Sequence, residues 1–158
     1  MINYVIDLTG LIISIMGLGM VLRSDILAKR SRRYFLWIFI ILIAYAVSDL
    51  VSWLTHGRPG NGWRLASKTA LFLESVLSGA LIPLLSGFLL YSAGEEKVFR
   101  NSIFQMIMAV FTVYTVLLIY TQFSTTIYYY DDLNTYHRGP WYPVLLILPI
   151  QMSILNIV

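Results

Sequence analysis

The sequence contains no cysteine and few charged residues, and both absences narrow what the chain can be. Without cysteine, disulfides, thiolate metal sites and thiol chemistry are excluded. Charged residues make up 12% of the 158 residues, against roughly 25% in a soluble domain. The net charge of +3 is small and unevenly placed, so we predict no nucleic-acid partner.

The sequence also lacks the signatures of catalysis and of cofactor binding. It has no P-loop, no HExxH helix and no glycine-rich nucleotide loop. Its two histidines, His56 and His137, both fall in predicted loops, which leaves little material for acid–base chemistry. We therefore predict that this chain is not an enzyme and that it uses no cofactor.

Hydrophobic residues make up 58% of the sequence and are gathered into five blocks. A bilayer core of about 30 Å needs about 20 helical residues, and each block approaches that length. The composition predicts an all-α fold, a polytopic helical bundle of about five spans in the cell membrane, with lipid around it. The whole chain, 1–158, forms one membrane-embedded domain in this prediction, and the spans are 3–22, 34–54, 66–91, 103–122 and 142–158.

The basic residues predict the orientation of the bundle. Seven of the 11 lysines and arginines lie in two loops, around residues 23–33 and 92–102. Because loops rich in Lys and Arg stay in the cytoplasm, we expect these two loops inside and the N-terminus outside. Trp53, Trp63 and Trp141 then fall at the outer boundary, where amphipathic rings are enriched.

A distinctive outer loop, residues 123–141, precedes the fifth block. Its first part is β-branched and aromatic, and Asp131, Asp132 and Asn134 are turn formers, so a short hairpin is favoured. We expect this loop to cover the outer end, with its tyrosines at the lipid headgroups and Arg138 reaching an acid or a lipid phosphate. The acids and His137 match no cation-loop spacing, so no metal site is predicted.

Three acids lie inside the apolar blocks, where a charge near the bilayer centre costs at least ~2.5–3.5 kcal/mol. At about 1.5 Å per residue, Asp7, Asp49 and Glu74 lie roughly 6, 9 and 12 Å below the predicted outer boundary. They are therefore able to share one water-accessible pocket, with Trp53 on the same helix face as Asp49. The predicted ligand-binding residues are Asp7, Asp49, Trp53, Glu74 and Arg138.

A structural interpretation of the same acids stays open at this point. Buried acids that are protonated, or that pair with Arg64 or Lys68, would hold the helices together without binding a ligand. Polar side chains between membrane helices contribute about 0.6 kcal/mol on average. The sequence alone does not decide between a pocket and interhelical contacts.

Two stretches resemble a known class of proteins: residues 44–60, AYAVSDLVSWLTHGRPG, and residues 128–144, YYYDDLNTYHRGPWYPV. Both are similar to the N-terminal multi-span membrane sensor regions of bacterial signalling proteins, notably membrane-bound diguanylate cyclases and seven-transmembrane-type histidine kinases. The resemblance implies a homodimer whose membrane module feeds a cytoplasmic GGDEF or kinase domain. The sequence is still apolar at Val158, and we expect such a domain to follow; a naturally short protein is the alternative.

The sequence therefore predicts a membrane-embedded sensory input module. It would bind a small molecule, a peptide or a lipid in the outer half of the bundle and relay binding to a cytoplasmic output. One alternative is a small transporter or channel subunit, which needs polar residues through the inner halves of the spans. The other is a structural assembly partner that binds no ligand.

Overall fold

The computed structural model describes residues 2–157, with side-chain surroundings from residue 5 onward. Most of this range is helical, and a small antiparallel hairpin precedes the last helix. A short 3-10 helix, Val98–Arg100, leads into the fourth α-helix. The elements are α1 (Ile2–Arg23), α2 (Lys29–Thr55), α3 (Asn61–Ser92), α4 (Ser102–Thr121), β1 (Tyr128–Tyr130), β2 (Tyr136–Arg138) and α5 (Tyr142–Leu155).

Four of the helices, α1 to α4, are long and apolar enough to cross a membrane. The predicted helical fold is confirmed, and these four helices are compatible with a multi-pass membrane protein. Helix α5 is also apolar but has 14 residues, or roughly 21 Å at about 1.5 Å per residue, so a fifth crossing stays a prediction. The last residue of the predicted fifth span, Val158, lies outside the described residues.

Helix α3 lies at the centre of the bundle, because it contacts α2, α4 and α5, whereas α1 packs mainly against α2. Close packing of α3 on α4 depends on Gly79. A Cβ atom at this position would lie 2.7 Å from the ring of Tyr114 on α4, too close for a real contact. Small residues allow such approach between membrane helices, where van der Waals packing drives association.

The two basic loops lie at one end of the bundle. Arg30, in the first turn of α2, donates a 3.4 Å hydrogen bond to the carbonyl oxygen of Glu96. Its guanidinium also lies 5.1 Å from the ring centroid of Tyr91, near the end of α3. We call this the basic end and the opposite end, where the hairpin packs, the hairpin end. Which end faces the cytoplasm stays a prediction.

The hairpin predicted for the loop before α5 forms, with β1 antiparallel to β2. Asp131 holds its turn, because Oδ1 accepts hydrogen bonds from the N–H groups of Leu133 and Thr135 at 3.0 and 2.8 Å. Its Oδ2 lies 2.9 Å from Nε2 of His137 on β2. The hydrogen bonds from His137 and from the Thr135 N–H lower the pKa of the Asp131 carboxyl group.

A buried polar contact fixes the hairpin turn on α2 and α3. Asn134 adopts a left-handed backbone with φ of 58°, which asparagine tolerates better than most residues. Its Nδ2 donates to the carbonyl oxygen of Thr55 at 2.7 Å and to Oγ of Ser67 at 2.9 Å. The Ser67 hydroxyl donates in turn to Oγ1 of Thr55 at 2.8 Å. All three side chains are buried, so the turn is held in one position.

Candidate functional site

Two adjacent cavities lie beneath the hairpin, among α2, α3 and α5. The first has a volume of ≈ 510 Å³ and also reaches Tyr114 on α4. The second has a volume of ≈ 470 Å³ and lies nearer the end of α2. Both are lined by Leu71, Glu74, Tyr136 and Tyr142, so we treat them as one site, the hairpin cavity. Helix α3 contributes Glu74 and the hairpin contributes Tyr136. The carboxyl group and the hairpin, which forms the roof of the cavity, therefore border the same space.

Three of the five predicted ligand-binding residues line the hairpin cavity together. Asp49 and Trp53, four residues apart on α2, line its second part. Glu74 on α3 lines both parts. Residues four apart on a helix share a face, and this is why Trp53 accompanies Asp49. The expected convergence of α2 and α3 residues therefore occurs, and ligand binding by them stays a prediction.

Asp7 approaches the site from α1 and is not one of the lining residues. Its carboxyl group lies within interaction distance of the carboxyl group of Asp49. Asp7 on α1 is therefore a neighbour of Asp49 on α2.

Arg138 lies at the end of β2, is exposed and does not line the cavity. Its guanidinium stacks on Tyr142, with 4.6 Å between the guanidinium carbon and the ring centroid. Tyr142 itself lines both parts of the cavity. Arg138 therefore touches the site only indirectly, through the ring of Tyr142.

The basic residues near the site pair with the hairpin rather than with the membrane acids. Arg64 donates to the carbonyl oxygen of Tyr130 at 2.7 Å and to Oδ1 of Asp132 at 3.2 Å. Within residues 2–157 the ion pairs are Arg64 with Asp132 and His137 with Asp131. In that range no Lys, Arg or His forms an ion pair with the acids of α1, α2 or α3. The structural interpretation in which Arg64 or Lys68 neutralises these acids is therefore wrong for the described chain.

Sequence reasoning missed the tyrosines as components of the site. The expectation that the outer-loop tyrosines lie at the lipid headgroups fails for Tyr128 and Tyr130, which are 2% and 5% exposed. Tyr129 between them is 37% exposed. Successive side chains of a strand point to opposite faces, and applying this period to the three tyrosines would have predicted the pattern. Six tyrosines line the hairpin cavity: Tyr45, Tyr114, Tyr128, Tyr130, Tyr136 and Tyr142.

The hairpin, which forms the roof of the cavity, is held to the helices by the hydroxyl groups of Tyr128 and Tyr130 as well as by Asn134. The amide of Gln122, just after α4, donates to the hydroxyl oxygen of Tyr128 at 2.9 Å. The Tyr130 hydroxyl shares a hydrogen bond with the Ser52 side chain on α2, while burial raises the pKa of Tyr130 to about 12. The two buried tyrosines of β1 therefore connect the hairpin to both sides of the bundle.

No protein-family model, curated protein or solved structure matches the chain. The likeness of residues 44–60 and 128–144 to bacterial sensor regions stays a prediction. Both stretches nevertheless contribute to the cavity, the first through Asp49 and Trp53 and the second through the hairpin tyrosines.

Proposed function

We propose that the chain is a sensory membrane module that binds a ligand in the hairpin cavity and transmits the resulting change in helix packing to the basic end. One observation carries this proposal. Asp49, Trp53 and Glu74, from two helices, line a single cavity that a pinned hairpin covers. A cavity of a few hundred Å³ with a small number of polar groups is the usual form of a small-molecule site.

Helix α3 offers a direct connection between the two ends. It extends over 32 residues, roughly 48 Å at about 1.5 Å per residue, and carries Glu74 in its first half and Tyr91 near its end. At the basic end Tyr34 of α2 stacks on Tyr91, with 6.0 Å between ring centroids. The same Tyr34 ring meets Phe88 edge-on at 6.0 Å. A ligand that changes the packing of α2 on α3 would therefore alter these aromatic contacts.

Such a relay requires the ligand to bind two packings of the bundle with different affinity, since a ligand shifts an equilibrium only by that difference. In the proposed orientation the basic end faces the cytoplasm, where an output domain would read the change. Homodimerisation and the identity of that output follow from the family likeness and belong to the same proposal.

A structural role is favoured for one acid. Asp7 on α1 lies next to Asp49 on α2, and a purely structural interpretation expects such contacts of polar groups between membrane helices. It does not account for Glu74, which faces the cavity from α3. The second candidate function, an assembly partner that binds no ligand, therefore explains Asp7 better than it explains Glu74.

The relay is testable because the chain has no native cysteine, so introduced cysteines label specifically. Spin labels on Ala28→Cys and Ala93→Cys, both exposed at the basic end, report the separation of α2 from the end of α3. Filling the cavity with Ser78→Trp mimics occupancy, and the expected result in lipid nanodiscs is a shifted distance distribution between the labels. The matched control is Leu73→Trp, which lies in an apolar groove on another face of α3.

An unchanged label distance in the Ser78→Trp protein, with helical content preserved by circular dichroism, would contradict the relay. If Ser78→Trp fails to fold, Ile150→Trp fills the same cavity from α5 and serves as the second variant. A shift produced equally by Leu73→Trp would show that the labels respond to any bulky residue, and this result would also count against the proposal.

A further inference from the structure

The lining of the hairpin cavity also indicates the chemical class of its ligand. Resting on the function proposed above, we infer that the ligand is an organic cation, an amine or a quaternary ammonium with an apolar body. Three features of the cavity carry this inference: the sign of its charges, the nature of its rings and its size.

The side chains that line the cavity include carboxyl groups and no Lys or Arg. The first part is lined by Glu74 and by no Lys, Arg or His, and the second part adds Asp49 and one histidine, His56. A third carboxyl group, that of Asp7 on α1, lies next to Asp49. No basic side chain in residues 2–157 forms an ion pair with these acids. Charges interact more strongly in a low-dielectric interior than in water, so this lining attracts a cation and repels an anion.

The rings of the cavity reinforce the same preference. Six tyrosines and Trp53 supply aromatic faces, whose negative quadrupole attracts cations within about 6 Å of the ring centroid. Rings at this end of the bundle already engage cations. The guanidinium of Arg138 lies 4.6 Å from the Tyr142 ring, and that of Arg58 lies 4.9 Å from the Trp63 ring. Clusters of aromatic rings are the common protein site for quaternary ammonium groups.

The size of the cavity favours an organic cation over a bare metal ion. A volume of ≈ 510 Å³ lies in the range of roughly 300–1,000 Å³ typical of small-molecule pockets. Leu71, Leu145 and Ile150 supply apolar surface for a hydrocarbon body. In the part of the chain that the structure describes, no group of three or more His, Cys, Asp or Glu side chains is arranged to hold a metal ion.

The test compares choline with its neutral carbon isostere, in which the ammonium nitrogen is replaced by carbon. Binding to the full chain in nanodiscs is measured by calorimetry at constant ionic strength. We expect choline to bind at least about tenfold more tightly, because only it gains the charge and ring contacts. Glu74→Gln and Asp49→Asn should each weaken choline binding, while Glu95→Gln at the basic end should not.

An aromatic variant separates ring contacts from general damage to the fold. Tyr45→Phe keeps the ring and should keep choline affinity, whereas Tyr45→Leu should lose much of it. Equal binding of choline and the isostere, or no binding of either, would overturn the cation inference. The proposed relay would survive that result if Ser78→Trp still shifts the label distance. If that shift is also absent, the proposed function itself is wrong.

Discussion

Replacing Asn134 breaks the contact that holds the hairpin over the cavity, and the structure allows the size of the effect to be worked out. Asn134→Gly keeps a residue suited to φ of 58° but removes the two Nδ2 hydrogen bonds, at 2.7 and 2.9 Å. A hydrogen bond contributes about 0.5–1.5 kcal/mol net, so the loss is about 1–3 kcal/mol. The Oδ1 atom has no partner within the described chain, so its removal adds nothing.

Two further substitutions divide this loss into its causes. Asn134→Ala loses the same hydrogen bonds and also places a Cβ-bearing, nonpolar residue in the left-handed region, which costs about 1–2 kcal/mol more. Asn134→Asp keeps the shape but turns the donor into an acceptor facing the Thr55 carbonyl oxygen. We therefore expect glycine to be the mildest of the three replacements.

Hydrogen exchange of the hairpin amides, followed by mass spectrometry, measures the local opening directly. A loss of about 1–3 kcal/mol corresponds to exchange roughly 5- to 150-fold faster in Asn134→Gly. The control is Leu133→Ala, the neighbouring exposed turn residue, which leaves the buried contact intact. If the hairpin amides of Asn134→Gly exchange no faster than those of Leu133→Ala, the turn is not held as described.

Three further predictions concern the hairpin and its connection to α5. The pKa of Asp131 is lowered in the folded state, so its contribution to hairpin stability is present above the usual pKa of about 4 and is lost as the pH falls below it. Near-ultraviolet circular dichroism should show this loss in the wild type and not in Asp131→Asn. Burial raises the pKa of Tyr130 to about 12, so its contribution to stability is present below the usual pKa of about 10 and is lost between about pH 10 and about pH 12. Phenolate absorbance follows this ionisation, and Tyr130→Phe should abolish its part of the titration. Gly139→Ala would drive a Cβ into the backbone carbonyl groups of residues 125–126 and should cost about 1–3 kcal/mol in thermal unfolding, whereas Gly19→Ala meets nothing within 4 Å and should be neutral.

Local patterns were enough to predict much of the fold. The apolar blocks correspond to helices, and the first four are long enough to span a membrane. The aromatic run followed by turn formers corresponds to the hairpin, because turn chemistry acts over a few residues. The similar depths of Asp49 and Glu74 also placed them together, since depth follows from counting residues along a helix.

The partners of the charged and aromatic side chains were not predictable in the same way. Arg64 was named, with Lys68, as a possible partner of the membrane acids, and it binds Tyr130 and Asp132 instead. The partners of Arg64 depend on where the hairpin turn packs. The buried Asn134 fixes that position through contacts with residues more than sixty positions away in sequence. Spacing along one helix defines a face, but it does not define how neighbouring helices are rotated about their axes.

The burial of the hairpin tyrosines has the same origin. Interfacial preference predicts rings at the headgroups for any tyrosine near a span boundary. Here the docked hairpin turns alternate tyrosines inward, and Tyr128 becomes part of a core with Leu118 and Leu145. The aromatic character of the cavity is therefore a tertiary property, produced when the strand packs on α4 and α5.

The central claim, that an acid-lined and water-accessible cavity lies between α2, α3 and the hairpin, is tested most directly by thiol reactivity. Ser78→Cys, on the cavity face of α3, is treated with two methanethiosulfonate reagents of similar size, one cationic and one anionic. The cationic reagent should react faster, and Glu74→Gln should reduce that preference. Leu73→Cys, five residues earlier on α3 and in an apolar groove, should react slowly with both. If Ser78→Cys is as inert as Leu73→Cys, or shows no preference for the cationic reagent, the claim is contradicted.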